Sequence, residues 1–390
     1  MKILVVAGEA SADIHAGHVI AKLQEQREVQ LFGIGGTHLV HCGLQPIKTP
    51  REMAVVGLSE ALKKIPQTLS LFRELEAIAA REKPDFALLL DLPDFNLRLA
   101  PRLKRLGIPV IYYISPQVWA WRSKRVKHMA KCLDLLLTIL PFEKPWYEKN
   151  APSSLPVEYV GHPVLEEVPA FPYEPKELQV ALLPGSRESE LERLLPSFLE
   201  AAVLMKRARP NLTFVLPLAE SLRTSALARR ALSLEGPSAA FLKELGDSLA
   251  VLEKPSHELL RASKLAIVAS GTATLETAIV GVPMVVVYKV SPSTAFLFRH
   301  LVGYSGAIAM ANLVHTGLGS VERVVPELLQ ESANPANIAK TALEFFENQV
   351  LWLQTKDRLA QTRSILSGTG SPTKNAADAM IRFLEKRLAK

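Results

Sequence analysis

The chain has little cysteine: two residues in 390, Cys42 and Cys132. Two thiols cannot build a disulfide framework or a four-thiolate metal site, so a reduced, cytoplasmic setting is expected. Aromatic residues make up only 6% of the chain. No basic stripe is interleaved with them, which argues against a nucleic-acid binder. No two aspartates stand as Asp-x-Asp, the short metal–diphosphate signature of many sugar-nucleotide enzymes. His15 with His18 and His38 with His41 have i,i+3 spacing but no third or fourth ligand nearby. No metal is therefore expected. The first strand is not followed by Gly-x-Gly-x-x-Gly, so a dinucleotide fingerprint is missing there. The first residues lack the longer apolar run of a secretory signal. Leu265 to Tyr288 and Leu301 to Val321 are rich in apolar residues. The first is interrupted by Glu276, Gly281 and Pro283, the second by glycines, Asn312 and His315, and neither makes a membrane span.

What remains is globular. Apolar residues are 48% and charged residues 22%, and the net charge of +7 suits an anionic partner. Short runs that are apolar throughout alternate with amphipathic helical patterns, the mark of parallel strands covered on both faces. Strands are expected at Ile3–Ala7, Val29–Ile34, Phe86–Leu90, Val110–Ile114, Leu135–Leu140 and Val157–Val160. After a proline-rich connector between Ala151 and Pro175 the pattern restarts. Further strands are expected at Gln179–Leu183, Leu212–Leu216, Leu249–Leu252, Leu265–Val268 and Met284–Tyr288. The fold class is α/β: two doubly wound, Rossmann-like domains facing each other across a cleft. The expected divisions are 1–165, 166–370 and a C-terminal helix within 371–390, free to cross to the first domain or to a partner subunit.

In such sheets ligands bind beyond the carboxyl ends of the strands. The first strand ends in Gly8-Glu9-Ala10-Ser11-Ala12-Asp13, where Glu9 and Ser11 project outward and Ser11 or Asp13 caps the helix. The third expected strand ends in Asp91-Leu92-Pro93-Asp94-Phe95-Asn96, two carboxylates suited to a general base. Asp94 is the one expected to react, because Asp91 lies nearer the strand, and Asn96 is read as a cap. Ser115–Arg122 follows the next strand, and His162 ends the first half in Gly161-His162-Pro163. In the second half, Gly185 lets backbone approach an anion, Ser186 offers a hydroxyl and Arg187 a planar fork. Ser270, Gly271 and Thr272 open another helix whose N-terminus suits phosphate, and Glu276 lies one turn in, within reach of ribose hydroxyls. Capped helices alone would also account for both turns. Residues 53–72 combine apolar residues with lysines, a core helix or a surface for acyl chains.

Together GEASAD at Gly8, GIGG at Gly33, DLPDFN at Asp91, SPQVWAWR at Ser115, LPFEK at Leu140, GHP at Gly161, LPGSR at Leu183 and SGTATLE at Ser270 appear in the order found in lipid-A-disaccharide synthases, and the sequence resembles that family over nearly its whole length. The resemblance implies an inverting glycosyltransferase of GT-B architecture. It would join UDP-2,3-diacylglucosamine to 2,3-diacylglucosamine 1-phosphate (lipid X), giving a β(1→6)-linked tetraacyl disaccharide 1-phosphate and UDP. The first domain would be the acceptor and lipid side, the second the UDP side. Asp94 would be the base, with Glu9, Ser11 and His162 toward substrate. Gly185, Ser186, Arg187, Ser270, Gly271, Thr272 and Glu276 would hold the nucleotide, and Asn312 matches a family asparagine near it. Ala12 stands where many relatives have Gly, and Thr37-His38 where many have Pro and a basic residue. No cofactor is implied, since the UDP-sugar is a substrate. The implied setting is cytoplasmic, peripheral on the inner membrane, with a homodimer in keeping. The alternatives are a UDP-sugar 2-epimerase of the same architecture, a nucleotide-dependent oxidoreductase and a non-catalytic membrane- or RNA-binding protein.

Overall fold

The computed structural model describes residues 1–49, 52, 65–170, 172–253, 256–289, 306–368 and 370–389. Backbone contacts divide the chain into two compact units. One comprises Met1–Glu166 with Leu366–Lys390, the other Glu167–Ile365.

Each unit is built on a parallel sheet. In the first the strands are β1 (Lys2–Ala7), β2 (Gln30–Ile34), β3 (Leu44–Lys48), β4 (Phe86–Leu90), β5 (Val110–Tyr113), β6 (Leu135–Thr138) and β7 (Val157–Tyr159). Their order is β3-β2-β1-β4-β5-β6-β7. In the second they are β8 (Lys176–Leu183), β9 (Thr213–Pro217), β10 (Leu249–Leu252), β11 (Ser263–Ala269), β12 (Met284–Tyr288) and β13 (Glu327–Leu329), in the order β10-β9-β8-β11-β12-β13. Both sheets therefore start at an inner strand, run outward to one edge, and return to build the other. The reversal falls between β1 and β4 in one unit and between β8 and β11 in the other. Loops leaving these neighbours diverge to opposite faces and open a crevice, the site at which such sheets bind ligands.

The central strands are continuous apolar runs because helices cover both faces. Ile3 to Ala7 and Phe86 to Leu90 are fully buried. β3 and β13 escape the sequence reading. β3 is an edge strand, Leu-Gln-Pro-Ile-Lys, with Gln45 and Pro46 exposed, and proline is tolerated at such an edge. β13 is three half-buried residues. Neither contains an apolar run.

The chain returns to the first unit at Leu366, whose carbonyl accepts hydrogen bonds from His162 N (3.1 Å) and Tyr159 Oη (3.1 Å). The terminal helix Pro372–Leu388 starts with a Ser371 cap and packs on the helix Ala10–Gln24. Among its polar links, Gln26 Nε2 reaches Asp378 at 2.9 Å and Arg382 reaches Glu158 at 2.8 Å. No described helix is long and apolar enough to cross a membrane.

Candidate active site

In the first unit the reversal point is flanked by the turns after β1 and β4. Glu9 occupies the N-cap position of the helix Ala10–Gln24 without a side-chain cap bond, and Glu9 and Ser11 are exposed. Asp13 turns the other way. Its buried carboxylate accepts from the backbone N–H groups of Gly36 (2.6 Å), His38 (2.9 Å) and Leu39 (3.3 Å), so it anchors the loop after β2. A Cβ on Gly36 would lie 2.7 Å from Asp13 Oδ2, which explains the last glycine of GIGG.

The turn after β4 is the most contorted in the unit. Asp91 (φ +50°) and Leu92 (φ +41°) are consecutive left-handed residues with side chains, before Pro93 opens the helix Pro93–Arg105. Each such residue costs on the order of 1–2 kcal/mol, and strain of this kind collects at functional sites. Two side chains hold the turn. Asn96 Nδ2 donates to the carbonyls of Leu90 (2.9 Å) and Asp91 (2.7 Å), and Tyr112 Oη donates to the carbonyl of Asp91 (2.6 Å). Asn96 thus bonds back to the strand instead of capping the helix. The Asp91 side chain lines a cavity of about 300 Å³ with Tyr112, Ile114, Val118, Arg122 and Arg125. Burial, reinforced by the charge of Glu9 and opposed by His15, pushes the Asp91 carboxyl up to about 6.

Asp94 is placed differently. It is 64% exposed and lies outside the lining of this cavity. Its carboxylate is paired with Arg122 (3.1 Å) and, more closely, with Arg125. Partial burial raises its pKa, but the hydrogen bonds and charges of Arg125 and Arg122 outweigh that and hold the carboxyl below its ordinary value. Of the two carboxylates in this loop, the structure brings Asp91 to the cavity and ties Asp94 to arginines.

The wall formed by residues 115–118 is fixed from behind. Tyr147 Oη and Ser115 Oγ lie 2.7 Å apart. Glu143, buried, accepts from Trp119 Nε1 (3.1 Å), Ile139 N (3.1 Å) and Leu140 N (3.0 Å). This accounts for the LPFEK motif. His162 accepts a hydrogen bond at Nδ1 from Val164 N (3.2 Å), and burial with the nearby His15 pushes its pKa down to about 3, so it is a neutral imidazole.

In the second unit a cavity of about 600 Å³ lies at the reversal between β8 and β11. Gly185, Ser186 and Arg187, from the turn after β8, line one side. Ser270, Gly271, Thr272 and Glu276, from the turn after β11 and the helix Thr272–Val280, line another. Seven of the eight residues expected to hold the nucleotide therefore surround one space. Gly185 is left-handed (φ +122°), and a Cβ there would sit 2.6 Å from Glu190. Glu190 itself accepts from the N–H groups of Ser186 (3.1 Å) and Arg187 (3.4 Å) and from Arg187 Nη1 (3.3 Å). It stands three residues after the helix cap Arg187, the capping-box position. Glu276 is raised by burial, against the pull of its hydrogen bond from Ser256 Oγ at 2.8 Å.

Asn312 is not brought to this cavity. It is fully buried, donates to Val325 O (2.9 Å) and Glu327 Oε1 (2.7 Å), and accepts from Val324 N (2.7 Å) and Val325 N (2.9 Å). Its amide is engaged by the chain itself, so it braces the segment Val324–Glu327. Among the described residues no group of three or more His, Cys, Asp or Glu side chains is placed to hold a metal. Of the apolar segment 53–72, residues 53–64 lie outside the described residues. Leu71 and Phe72 are buried in the first unit's core, where Phe72 stacks on Phe95 at 4.6 Å.

Comparison with known proteins places these motifs. The profile of the lipid-A-disaccharide synthetase family matches residues 3–381. The lipid-A-disaccharide synthase of Anaeromyxobacter sp. (strain K) is 39% identical, with 97% of each chain covered. That of Myxococcus xanthus is 39% identical over 98% of this chain and 97% of its own. Among solved structures, the UDP-GlcNAc 2-epimerase of Neisseria meningitidis bound to UDP-GlcNAc is similar at TM-score 0.59 and 15% identity, covering 99% of this chain and all of that one. MurG of Acinetobacter baumannii is similar at TM-score 0.59 and 13% identity, covering 98% and 99%. These low identities establish the shared fold, the GT-B architecture, and not a shared reaction. With a family profile spanning almost every residue and relatives at 36–39% identity along the whole length, the chain belongs to the lipid-A-disaccharide synthase family of glycosyltransferases.

Proposed function

We propose that the protein transfers 2,3-diacylglucosamine from its UDP derivative to the 6-hydroxyl of 2,3-diacylglucosamine 1-phosphate, with inversion, forming a β(1→6) tetraacyl disaccharide 1-phosphate and UDP. The observation that carries this reading is the convergence of the LPGSR and SGTATLE turns on one cavity at the reversal point of the second sheet. The first turn of the helix Thr272–Val280 presents free N–H groups and the positive end of the helix dipole. With Arg187 it suits a diphosphate, and Glu276 suits ribose hydroxyls. The reading gives UDP the role of substrate product and requires no cofactor: Arg187 and the helix end offset the charge that develops on the leaving diphosphate.

In the first unit we assign the base to Asp91, replacing Asp94. Asp91 faces a cavity, sits on a turn held by Asn96 and Tyr112, and is lifted by burial to about 6, toward the range of an effective base. Asp91 takes the proton of the acceptor hydroxyl. The freed oxygen bonds to the anomeric carbon as the bond to the diphosphate oxygen breaks, and the electron pair leaves with UDP. Arg122 and Arg125, which Asp94 holds in place from outside the lining, are the cationic side of that cavity, suited to the acceptor phosphate. Glu9, Ser11 and the neutral His162 are the remaining candidates for sugar contacts. Both substrates are membrane lipids, and the exposed Lys124, Lys127 and Lys131 support peripheral docking on an anionic leaflet.

The test is mass spectrometry of the product from purified protein and both diacylated sugars, with UDP release followed in parallel. The disaccharide should form, and UDP should appear only when both sugars are present. UDP release without the acceptor, or no disaccharide, would favour the epimerase reading over this one.

A further inference from the structure

One cation in the second unit's cavity is left unused by the motifs. Arg223 closes the short helix Glu220–Arg223 after β9 and lines the same cavity as Gly185 and Ser270. β9 pairs with β8, so this turn stands beside the LPGSR turn, and the two touch: Ser221 Oγ donates to Ser186 O at 2.6 Å. The guanidinium is pinned on one side, where Nη2 donates to Glu253 O at 3.2 Å. Its Nε is buried and, among the described residues, has no acceptor. A buried donor without a partner is uncommon and costs on the order of 1–3 kcal/mol, so its persistence calls for an explanation.

Arg187 offers the contrast. Its side chain is 75% exposed and paired with Glu190. To grip an anion, Arg187 must exchange one carboxylate for another negative group. Arg223 has no carboxylate within ion-pair distance among the described residues, so an incoming phosphate oxygen gives its orphaned Nε a partner and displaces none. The gain on binding is correspondingly larger for Arg223, and its pinned guanidinium loses less freedom.

We infer that Arg223 is a principal diphosphate-binding residue of this cavity, its Nε–H and a neighbouring N–H aimed at phosphate oxygens of a nucleoside diphosphate. The inference rests on the nucleotide reading of the cavity given above. Neither turn motif contains Arg223, which stands 36 residues after Arg187 in the sequence.

The experiment is calorimetric titration of UDP and uridine into the wild-type protein, Arg223→Met, Arg223→Lys and Arg187→Ala. Wild type should bind UDP more tightly than uridine. Arg223→Met should weaken UDP binding roughly ten- to a hundredfold, more than Arg187→Ala does, while uridine binding stays within about twofold. Arg223→Lys keeps the charge and the stem but lacks the fork. It should lose several-fold of the UDP preference, which keeps the test open if the Met variant folds poorly. UDP affinity within about twofold of wild type in both Arg223 variants would overturn the inference and leave the nucleotide site standing. So would equal losses for UDP and uridine, the mark of a merely structural arginine. A wild-type protein with no preference for UDP over uridine would instead overturn the nucleotide reading, and this inference with it.

Discussion

Replacing Asp91 by Asn, beside the same change at Asp94, decides which carboxylate is the base. In the free protein Asp91 titrates near 6, mainly through burial and then through the charge of Glu9. A base with that pKa is about nine-tenths ionised at pH 7, half at pH 6 and about one-tenth at pH 5. Because kcat/KM reports the free enzyme, wild-type kcat/KM for the acceptor should fall roughly tenfold from pH 7 to pH 5, with an acid limb near 6. Were Asp94 the base, its arginine-lowered carboxyl would stay ionised across that range and the profile would be flat. Asp91→Asn should lose about 10²–10⁴-fold in kcat, the usual contribution of a positioned base. Its UDP affinity should not change, since the nucleotide cavity is built from the other unit. Asp94→Asn should keep the acid limb, lose less than about tenfold in kcat and show its effect in acceptor KM, as expected for a residue that orients Arg122 and Arg125. Glu9→Gln removes a charge that raises Asp91 and should move the limb to lower pH. The assay is initial-rate UDP release from pH 4.5 to 8, at subsaturating acceptor, with folding checked at each pH by circular dichroism. Kinetics of Asp91→Asn within about threefold of wild type, or a flat profile between pH 5 and pH 7, would refute the assignment.

The remaining expectations concern the scaffold and the surface. Glu143 is 1% exposed, and burial pushes it to about 7 against the pull of Leu140 N, Trp119 Nε1 and Ile139 N. Since the unfolded carboxyl ionises lower, the folded chain holds the extra proton between pH 4.5 and pH 7, and stability should fall as pH rises through that window, by on the order of 3 kcal/mol. Glu143→Gln should flatten that part of a melting-temperature profile. Gly36→Ala puts a Cβ 2.7 Å from Asp13 Oδ2 and should destabilise the protein by about 1–3 kcal/mol in urea unfolding. The chain should float with anionic vesicles at low salt and less at high salt. Charge reversal at Lys124, Lys127 and Lys131 together should abolish flotation, at about 1 kcal/mol per lysine. Unchanged flotation would shift attention to residues 53–64.

The parts of this fold legible in the sequence are those dictated by burial. Phe86–Leu90 and Met284–Tyr288 form strands over the expected residues because a strand covered on both faces admits only apolar side chains. β3 and β13 lie at sheet edges, where one side is open and a mixed sequence suffices. That the LPGSR and SGTATLE turns share one cavity was equally legible, since both motifs stand at the carboxyl ends of neighbouring strands. Asp91 was not. Distinguishing it from Asp94 depends on two successive left-handed residues at positions 91 and 92, neither a glycine nor an asparagine, and on Asn96 and Tyr112, which hold that turn from a helix and a neighbouring strand. No local propensity encodes such a conformation; tertiary hydrogen bonds impose it. Asn312 entered by the family resemblance alone; in the structure its amide satisfies four backbone and side-chain partners around Val324–Glu327, a tertiary role no local pattern announces.

One strand order, written twice, yields two different chemistries. Both sheets reverse direction beside their first strand, so both open a crevice there whatever the side chains. In the first unit the reversal carries Glu9 and Asp91, and burial with the nearby charge of Glu9 favours a proton on Asp91. In the second it carries Gly185, Ser186, Ser270, Gly271 and Thr272, small residues that let the backbone of two turns line one cavity beside Arg187. A transfer reaction needs both halves: a group that accepts a proton from the attacking hydroxyl, and one that accepts the charge of the departing diphosphate. Because the two demands fall on separate units, they are separable by mutation. Loss at Asp91 should appear in turnover and its pH profile alone, and loss at Arg187 or Arg223 in nucleotide affinity. A variant at either reversal point that moved both readouts together would show that the division of labour is wrong, even if the overall reaction is right.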